Sequence, residues 1–481
     1  MSDVLEKIEL KTAVFWSVLE VIVKRALDLI IKLILARLLF PEDFGIIGMA
    51  TVFTSLTQVL NDSGMGNFLI QIKKEELNKT HYYTAFWTGI GWALVLYILM
   101  SFVLGPLIAQ FYNVELLKSI IPILALSTIF SSLNTVSKAQ LFREFRFKDL
   151  AFINNFSSII SGTLAIFMAF SGFGVWALVI NVVATYLISI PLFYRATNWM
   201  PKLIWKRNEF KQIFGFGAYT TYTDLLLNLS SNIDYLVIGK IVSAFSLGAY
   251  TLSYMLTSLV KSQIESMINR VLFPFYSKIQ SDLGKVKNLY LLSIKFYAIV
   301  TYPIMLLLII LGEPVIIFVF GDKWIESILP AKIIALAVLI DLCTSSFGLL
   351  FRSTGNPKYE MKIIFVINVL IYVPAVLIGV FMNGIVGVAY SILVTKIISV
   401  MIIQFILKIK FGISVRDLLI HLMPAWVATL ATLGIIYSII KYMQLNLVVI
   451  IFLLFLIYYL VCSLFFTNEI KGFLNRYNLK K

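Results

Sequence analysis

The chain is poor in the residues that mark soluble enzymes and secreted scaffolds. Of its 481 residues, 2 are cysteine and 2 are histidine, and charged residues make up only 14%. A soluble domain carries about 25% charged residues. Cys343 and Cys462 lie far apart inside apolar runs, so we expect neither a disulfide framework nor a zinc site. This composition argues against a water-soluble enzyme.

Motifs for covalent or nucleotide chemistry are also missing from the sequence. We find no Walker A loop, no GxSxG, no HExxH and no DxD-type nucleotide-sugar site. His81 and His421 lie near the ends of apolar runs, which favours a role at the membrane interface. We therefore expect no catalytic residue, no metal site and no cofactor. Residues 1–11 carry charges of both signs without a short apolar core, so no removable signal peptide is predicted.

Long apolar runs fill most of the chain, and hydrophobic residues reach 60%. A membrane-spanning helix needs about 20 mostly apolar residues. The runs are continuous rather than alternating, which favours helices over strands. Turn signals near Gly172 and Gly384 divide the two longest runs. We predict an all-α integral membrane protein with fourteen transmembrane helices, at 13–38, 44–71, 82–104, 115–136, 149–170, 174–195, 212–238, 246–274, 288–311, 329–351, 361–382, 384–407, 417–440 and 445–466.

The distribution of lysine and arginine gives a second test of this count. Basic residues in short loops stay on the cytoplasmic side of the membrane. With fourteen spans, one set of loops and both chain ends together hold 27 basic residues, whereas the alternate loops hold 4. This asymmetry predicts that both termini are cytoplasmic. It also explains most of the net charge of +15, so we expect no nucleic-acid partner.

A sequence repeat suggests that the chain is built from two similar halves. The stretch that contains Phe44-Gly45 and Thr54-Ser55-Leu56 recurs 203 residues later as Leu247-Gly248 and Thr257-Ser258-Leu259. Six spans separate the copies, so the two halves have the same orientation, as in transporters with parallel repeats. We predict an N-terminal six-helix lobe at 1–207, a second six-helix lobe at 208–410, and two appended helices with a basic tail at 411–481.

The first predicted span contains charges where lipid-facing residues are expected. Four of them follow at four-residue steps, which places them on one helix face, and Arg25 lies beside them. Charged side chains are costly in the hydrocarbon core. They therefore form either a self-satisfied ion-pair ladder or the wall of a hydrated cavity; an interfacial helix fits less well because apolar residues separate the charges. The four residues are Glu20, Lys24, Asp28 and Lys32.

Spans seven and eight are polar as well, and they lie early in the second half. The seventh contains Asp224, Asn228 and Asp234, and the eighth contains Lys261, Glu265 and Arg270. Lys295 and Lys396 in later spans fit either a structural or a cavity role. Together the polar faces predict a central, hydrated cleft with a cationic bias, which suits an anionic cargo. Embedded carboxylates such as Asp28 or Asp224 are candidates for binding a coupling proton or sodium ion.

Several local motifs resemble the polysaccharide transporter family of the multidrug/oligosaccharidyl-lipid/polysaccharide exporter superfamily. The resemblance covers nearly the whole chain and is closest to Wzx-type flippases of the colanic-acid and teichuronic-acid exporter branch. The motifs are LARLLFPEDFGIIGMA (35–50), LFREFRFKDLA (141–151), GFGVWALV (172–179), IDYLVIGKIVSAFSLGAYTLSYML (233–256), VLFPFYSKIQSD (271–282), VFGDKWIESILP (319–330) and FRSTGNPKYEM (351–361).

This resemblance implies a fold and a function. Such proteins have two six-helix lobes in a V, often with two extra helices, and they alternate between inward and outward openings. They move an undecaprenyl-pyrophosphate-linked oligosaccharide across the bacterial cytoplasmic membrane for polysaccharide biosynthesis, in some systems beside a polymerase. The matching positions for pyrophosphate binding are Lys24, Arg25, Lys261 and Arg270.

Other functions remain open at this point. A peptidoglycan lipid-precursor flippase has the same number of spans and also a cationic cavity. A drug or cation antiporter of the same superfamily is disfavoured by a cationic cleft. A membrane polysaccharide polymerase or ligase usually carries a long external loop with basic residues, whereas the external loops here, near 105–115 and 312–328, are short.

Overall fold

The computed structural model describes residues 23–62, 64–73, 75–213, 225, 228, 229, 231–279, 282–442 and 445–476, with the side chains of 267, 270, 271, 273, 274, 277, 278, 357, 441 and 465–476 excepted. All regular elements in these ranges are helices. The fold is therefore all-α over the described chain, as the continuous apolar runs predict.

The first part of the chain forms long helices joined by short turns. A wide π-type segment, Leu99–Leu104, joins α4 to α5. The helices are α1 (23–38), α2 (Pro41–Asp62), α3 (Met65–Gln71), α4 (Lys79–Ile98), α5 (Gly105–Tyr112), α6 (Leu117–Arg143), α7 (Phe147–Phe170), α8 (Val175–Thr197) and α9 (207–213).

The second part continues in the same manner. Short π-type or 3₁₀ segments link several helices into longer spans. The helices are α10 (Ile233–Ile241), α11 (Ala244–Tyr254), α12 (Val260–Ile279), α13 (Leu283–Phe320), α14 (Ile328–Asp341), α15 (Phe347–Ser353), α16 (Pro357–Phe365), α17 (Val373–Phe411), α18 (Val415–Tyr442) and α19 (Leu447–Arg476).

Ten helical stretches of the described chain are long and apolar enough to cross a membrane. One of them, Lys358–Phe411, contains two of the predicted spans, so the ten stretches contain eleven of the fourteen. The other three are the polar spans 1, 7 and 8, and the first two extend into residues outside the described ranges. The prediction of an all-α, multi-span membrane protein is confirmed.

Glycines form the tight turns at the two places where the sequence suggested them. Gly172 and Gly174 have φ of 82° and 54° between α7 and α8. Gly384 has φ of 50° and breaks α17 beside Asn383. A positive φ is costly for residues with a Cβ atom. These glycines therefore allow two consecutive spans to be joined by only a few residues.

Helices α2 and α11 cross at very close range through small residues. A Cβ atom on Gly45 would overlap the Ala244 carbonyl, and a Cβ atom on Gly248 would overlap the Pro41 carbonyl. Pro41 and Ala244 are 203 residues apart, as are Gly45 and Gly248. Each contact is thus the counterpart of the other in the repeat register. This reciprocity supports the internal repeat.

The chain divides into two compact units, Met1–Thr251 and Leu252–Lys481. In the first unit, α6 packs on α4 and α8, and α8 packs on α7. In the second unit, α14 packs on α13 and α17, and α18 packs on α13 and α19. The lobe boundaries predicted above at residues 207 and 410 remain predictions.

Candidate functional site

The first unit encloses a cavity of about 640 Å³ among α1, α2, α3, α6, α7 and α8. Sites for drug-sized ligands have volumes of about 300–1,000 Å³. Thirteen of the twenty-three lining residues are uncharged and polar, and four are charged. Such a lining is unusual among membrane-crossing helices, because a polar side chain that meets neither water nor a partner costs free energy.

Amides and hydroxyls dominate the lining, and they come from several helices. The uncharged polar residues are Gln58, Asn67, Ser131, Asn134, Thr135, Asn154, Ser157, Ser158, Ser161, Asn181, Thr185, Tyr186 and Ser189. The charged residues, Lys24, Asp28, Asp62 and Lys138, balance to zero formal charge. The cavity therefore offers many hydrogen-bond donors and acceptors without a strong electrostatic bias from its described lining.

Two buried polar atoms of the lining have no hydrogen-bond partner within the described part of the structure. They are Asn134 Oδ1 and Ser157 Oγ, whose residues are 4% and 0% exposed. The other end of the Asn134 amide is fixed, because its Nδ2 donates to Ser189 Oγ at 2.7 Å and to the Tyr186 carbonyl at 3.2 Å. An unpaired buried acceptor costs about 1–3 kcal/mol. Both atoms lie buried in residues that line the cavity, and each would gain a partner if a ligand hydroxyl or a water molecule reached it.

The cavity lies along the C-terminal half of α6, toward one end of the unit. On α6 the lining runs from Ser131 to Phe142, which corresponds to about 16 Å at 1.5 Å per residue. A hydrocarbon core is about 30 Å thick. The lining residues Asn67, Ile70 and Lys138 are exposed and lie next to the loops rich in lysine and arginine. The cavity is thus most accessible from the side predicted to be cytoplasmic.

The second unit contains a compact cluster of four ionisable groups. Asp341 Oδ2 lies 2.5 Å from Lys261 Nζ and 3.2 Å from Lys396 Nζ, and Lys261 Nζ lies 2.8 Å from Glu265 Oε1. The Lys261 and Asp341 side chains are only 14% and 13% exposed. The cluster joins α12, α14 and α17, and its formal charges cancel. The mutual pairing offsets the large free-energy cost of placing charged side chains among membrane helices.

The residues predicted to form one cationic cleft fall into several places. Lys24 and Asp28 line the cavity of the first unit, whereas Lys261 and Glu265 belong to the cluster of the second. Arg25 and Lys32 are exposed and are not among the lining residues. Glu20, Asp224 and the Arg270 side chain lie outside the described residues. The functional roles assigned to all of these residues from the sequence remain predictions.

Two further predicted polar residues make hydrogen bonds inside the first unit. Asn228 Oδ1 accepts from Ser55 Oγ at 3.0 Å. Asp234 is 1% exposed; its carboxylate accepts from the Tyr250 hydroxyl and from the Tyr235 amide. These contacts pair both side chains within the first unit, and their role in a cavity or in ion coupling remains a prediction.

Asp341 and the uncharged part of the cavity lining were not identified from the sequence. Asp341 is a single acid in an apolar span, and its partner Lys261 is 80 positions away. The amides and hydroxyls do recur at helical spacing, as in Asn154, Ser158 and Ser161 or in Asn181, Thr185 and Ser189. This period is the signal that could have identified the lining.

A bundle of membrane-crossing helices around a polar cavity defines a membrane transport protein of the helical class. A solved structure of the lipid II flippase MurJ, in an inward closed conformation, has the same fold. It covers 94% of this chain and 99% of its own, with a TM-score of 0.76 and 18% identity. At this identity the likeness establishes the fold alone.

The chain belongs to the family described as polysaccharide biosynthesis protein, whose model matches residues 34–329. It is 27% identical to the lipopolysaccharide biosynthesis protein WzxC of Escherichia coli (strain K12), over 88% of this chain and 86% of that protein. It is also 27% identical to the teichuronic acid biosynthesis protein TuaB of Bacillus subtilis (strain 168), over 63% of this chain and 62% of that one. The resemblance noted from the sequence motifs is thereby confirmed.

Proposed function

We propose that this protein moves an undecaprenyl-pyrophosphate-linked oligosaccharide repeat unit across the bacterial cytoplasmic membrane by alternating access. The product serves the assembly of a polysaccharide such as O-antigen, capsule or exopolysaccharide. The observation that carries the proposal is the 640 Å³ polar cavity among membrane-crossing helices. A hydrophilic headgroup needs such a compartment to cross hydrocarbon, while its lipid tail stays in the bilayer.

Family membership supports this choice over the alternatives. The named relatives take part in lipopolysaccharide and teichuronic acid biosynthesis, which favours a polysaccharide precursor over a drug. A peptidoglycan precursor is the main alternative, because the MurJ structure shares the fold. The protein is expected to act without catalysis of its own, beside a polymerase that consumes the exported unit. The excess of basic residues in alternate loops supports a cytoplasmic position for both termini.

Lys24, Arg25, Lys261 and Arg270 are the candidates for contact with the pyrophosphate. Lys261 is bound to Asp341 and Glu265 in this conformation, so a phosphate group would have to replace a carboxylate there. Such an exchange is chemically reasonable, since lysine binds both groups as a point charge. Asp28 and Asp224 are candidates for coupling the movement to protons or sodium ions.

The test is transport in vesicles made with the purified full-length protein. Repeat-unit lipids isolated from the source membrane are placed in the vesicles, and impermeant periodate measures how many sugars reach the outside. In protein-free vesicles, oxidation should stop when the repeat-unit lipids of the outer leaflet, about half of the total, have reacted. In vesicles that contain the protein, we expect oxidation to continue beyond this half. Transport of lipid II or of a small organic cation instead of the repeat-unit lipid would overturn the proposal. Imposed proton and sodium gradients, with Asp28→Asn as the variant, test coupling in the same assay.

A further inference from the structure

The cavity of the first unit has a lining that suits a neutral, hydroxyl-rich ligand better than an anion. Its described charges are two lysines and two aspartates, so they leave no excess positive charge for a pyrophosphate. Bringing a multiply charged anion beside Asp28 and Asp62 would add electrostatic repulsion. The pyrophosphate is therefore expected to bind away from these two aspartates, and Lys24, which lines this cavity, is the least favoured of the four pyrophosphate candidates.

We infer that this cavity binds the saccharide part of the lipid-linked carrier, with Asn134, Asn154 and Ser157 among its specificity-determining contacts. The inference rests on the function proposed above and adds a division of the headgroup between sites. Sugar hydroxyls both donate and accept hydrogen bonds, as the amides and hydroxyls of the lining do. The volume of about 640 Å³ is in the range for drug-sized ligands, which includes a small oligosaccharide.

The unpaired atoms supply an independent reason. Asn134 Oδ1 and Ser157 Oγ are buried and lack partners among the described residues, so a sugar hydroxyl that reaches either atom from the cavity would supply the missing donor. Aromatic rings of Phe142, Tyr186 and Phe193 also line the cavity, and they offer apolar faces for the C–H surfaces of a sugar ring. A site that pairs buried polar atoms with ligand hydroxyls discriminates strongly against ligands that lack them.

A monovalent cation fits the same cavity less well. Asp28 and Asp62 are acidic, but the ammonium groups of Lys24 and Lys138 line the same space and would repel a cation. A cation also needs only one coordination shell of oxygen atoms, a small part of this volume. Most of the thirteen uncharged polar side chains of the lining would then have no role in binding the ligand.

The test measures protection of a cysteine placed in the cavity. Cys343 and Cys462 are replaced by alanine in the full-length protein, and Ser131→Cys provides a thiol on a partly exposed lining residue. Its modification by a small methanethiosulfonate reagent is timed in vesicles with repeat-unit lipid, with undecaprenyl pyrophosphate, with the oligosaccharide released by mild acid, or with sodium chloride. A thiol from Ser171→Cys, exposed in the turn after α7, is the labelling control.

We expect the repeat-unit lipid to slow modification at least fivefold, the released oligosaccharide to do so at higher concentration, and undecaprenyl pyrophosphate and sodium to have no effect. Asn154→Ala should raise the protective concentration about tenfold, whereas the neighbouring Asn155→Ala, which is outside the lining, should not. Equal protection by undecaprenyl pyrophosphate, protection by sodium alone, or no difference between the Asn154 and Asn155 variants would overturn the inference. If transport of the repeat unit persists in that case, the proposed function stands and only the saccharide assignment fails.

Discussion

Replacement of Asp341 by asparagine tests whether the ionic cluster stabilises the second unit. The carboxylate bonds to Lys261 at 2.5 Å and to Lys396 at 3.2 Å, and its side chain is only 13% exposed. Asparagine keeps the size of the side chain but removes its charge, so Lys261 retains only Glu265 within the described cluster. Breaking a buried ion pair by neutralising one partner costs about 3–5 kcal/mol.

A solvent-exposed pair provides the matched control. Lys118 Nζ lies 2.8 Å from Glu115 Oε2, but these side chains are 49% and 84% exposed. Exposed pairs contribute about 0–1 kcal/mol because water and salt screen them. The distances in the two pairs are similar, so Asp341→Asn and Glu115→Gln differ mainly in burial. We expect the first to destabilise strongly and the second to have almost no effect.

The assay is thermal unfolding of the purified protein in lipid nanodiscs, followed by tryptophan fluorescence. One kcal/mol corresponds to about 2–4 °C for a unit of 150–250 residues, so Asp341→Asn should lower the unfolding temperature by roughly 6–20 °C. Combining Lys261→Met with Asp341→Leu should cost less than the two single changes together, by about 0.5–3 kcal/mol. Equal unfolding temperatures for Asp341→Asn and Glu115→Gln would refute the reasoning.

Two further changes test packing and capping in the first unit. Gly248→Ala should destabilise by about 1–3 kcal/mol, because the new Cβ overlaps the Pro41 carbonyl, whereas Gly91→Ala, with open space around it, should be neutral or slightly stabilising; equal unfolding temperatures would contradict the close helix crossing. Arg143→Gln should destabilise by about 1–3 kcal/mol, because Arg143 Nη1 donates to the carbonyls of Leu69 at 2.9 Å and Ile72 at 2.7 Å at the end of α3. Arg195→Gln, at an exposed position near the end of α8, is its control in the same unfolding assay, and a similar loss in both variants would show that the capping contacts do not matter.

The helical architecture was predictable because its determinants are local. Continuous apolar runs fix the spans, and the turns at Gly172 and Gly384 depend on a backbone conformation that glycine adopts easily. Both turns occur at the predicted places. The structure adds that Lys358–Phe411 is helical on both sides of one break. Span boundaries were less predictable, since the helical stretches Lys79–Tyr112 and Leu283–Phe320 extend several residues beyond the predicted spans 82–104 and 288–311.

The cavity was only partly predictable from the sequence. Charged side chains in an apolar run are easily recognised, whereas neutral hydroxyl and amide side chains are not. Lys24 and Asp28 attracted attention since an isolated charge in hydrocarbon costs several kcal/mol. Hydroxyl side chains raise no such signal, because each can bond to its own helix. Thr185 Oγ1, for example, donates to the Asn181 carbonyl at 2.7 Å. The charged residues of a polar site can therefore be predicted from the sequence, whereas its neutral residues cannot.

The buried polar groups of the two units make different contacts, even where the sequence repeat is recognisable. Leu141-Phe142-Arg143 recurs as Leu350-Phe351-Arg352, yet Arg143 caps backbone carbonyls while Arg352 pairs with Glu360 at 3.1 Å. In the first unit, two buried polar atoms of cavity-lining residues have no hydrogen-bond partner among the described residues. In the second, four ionisable groups neutralise one another. An unpaired neutral acceptor costs about 1–3 kcal/mol, whereas a buried charge left without its partner costs about 3–5 kcal/mol. These differences favour the saccharide as the ligand of the first unit, whereas an anion at Lys261 in the second unit must displace a carboxylate.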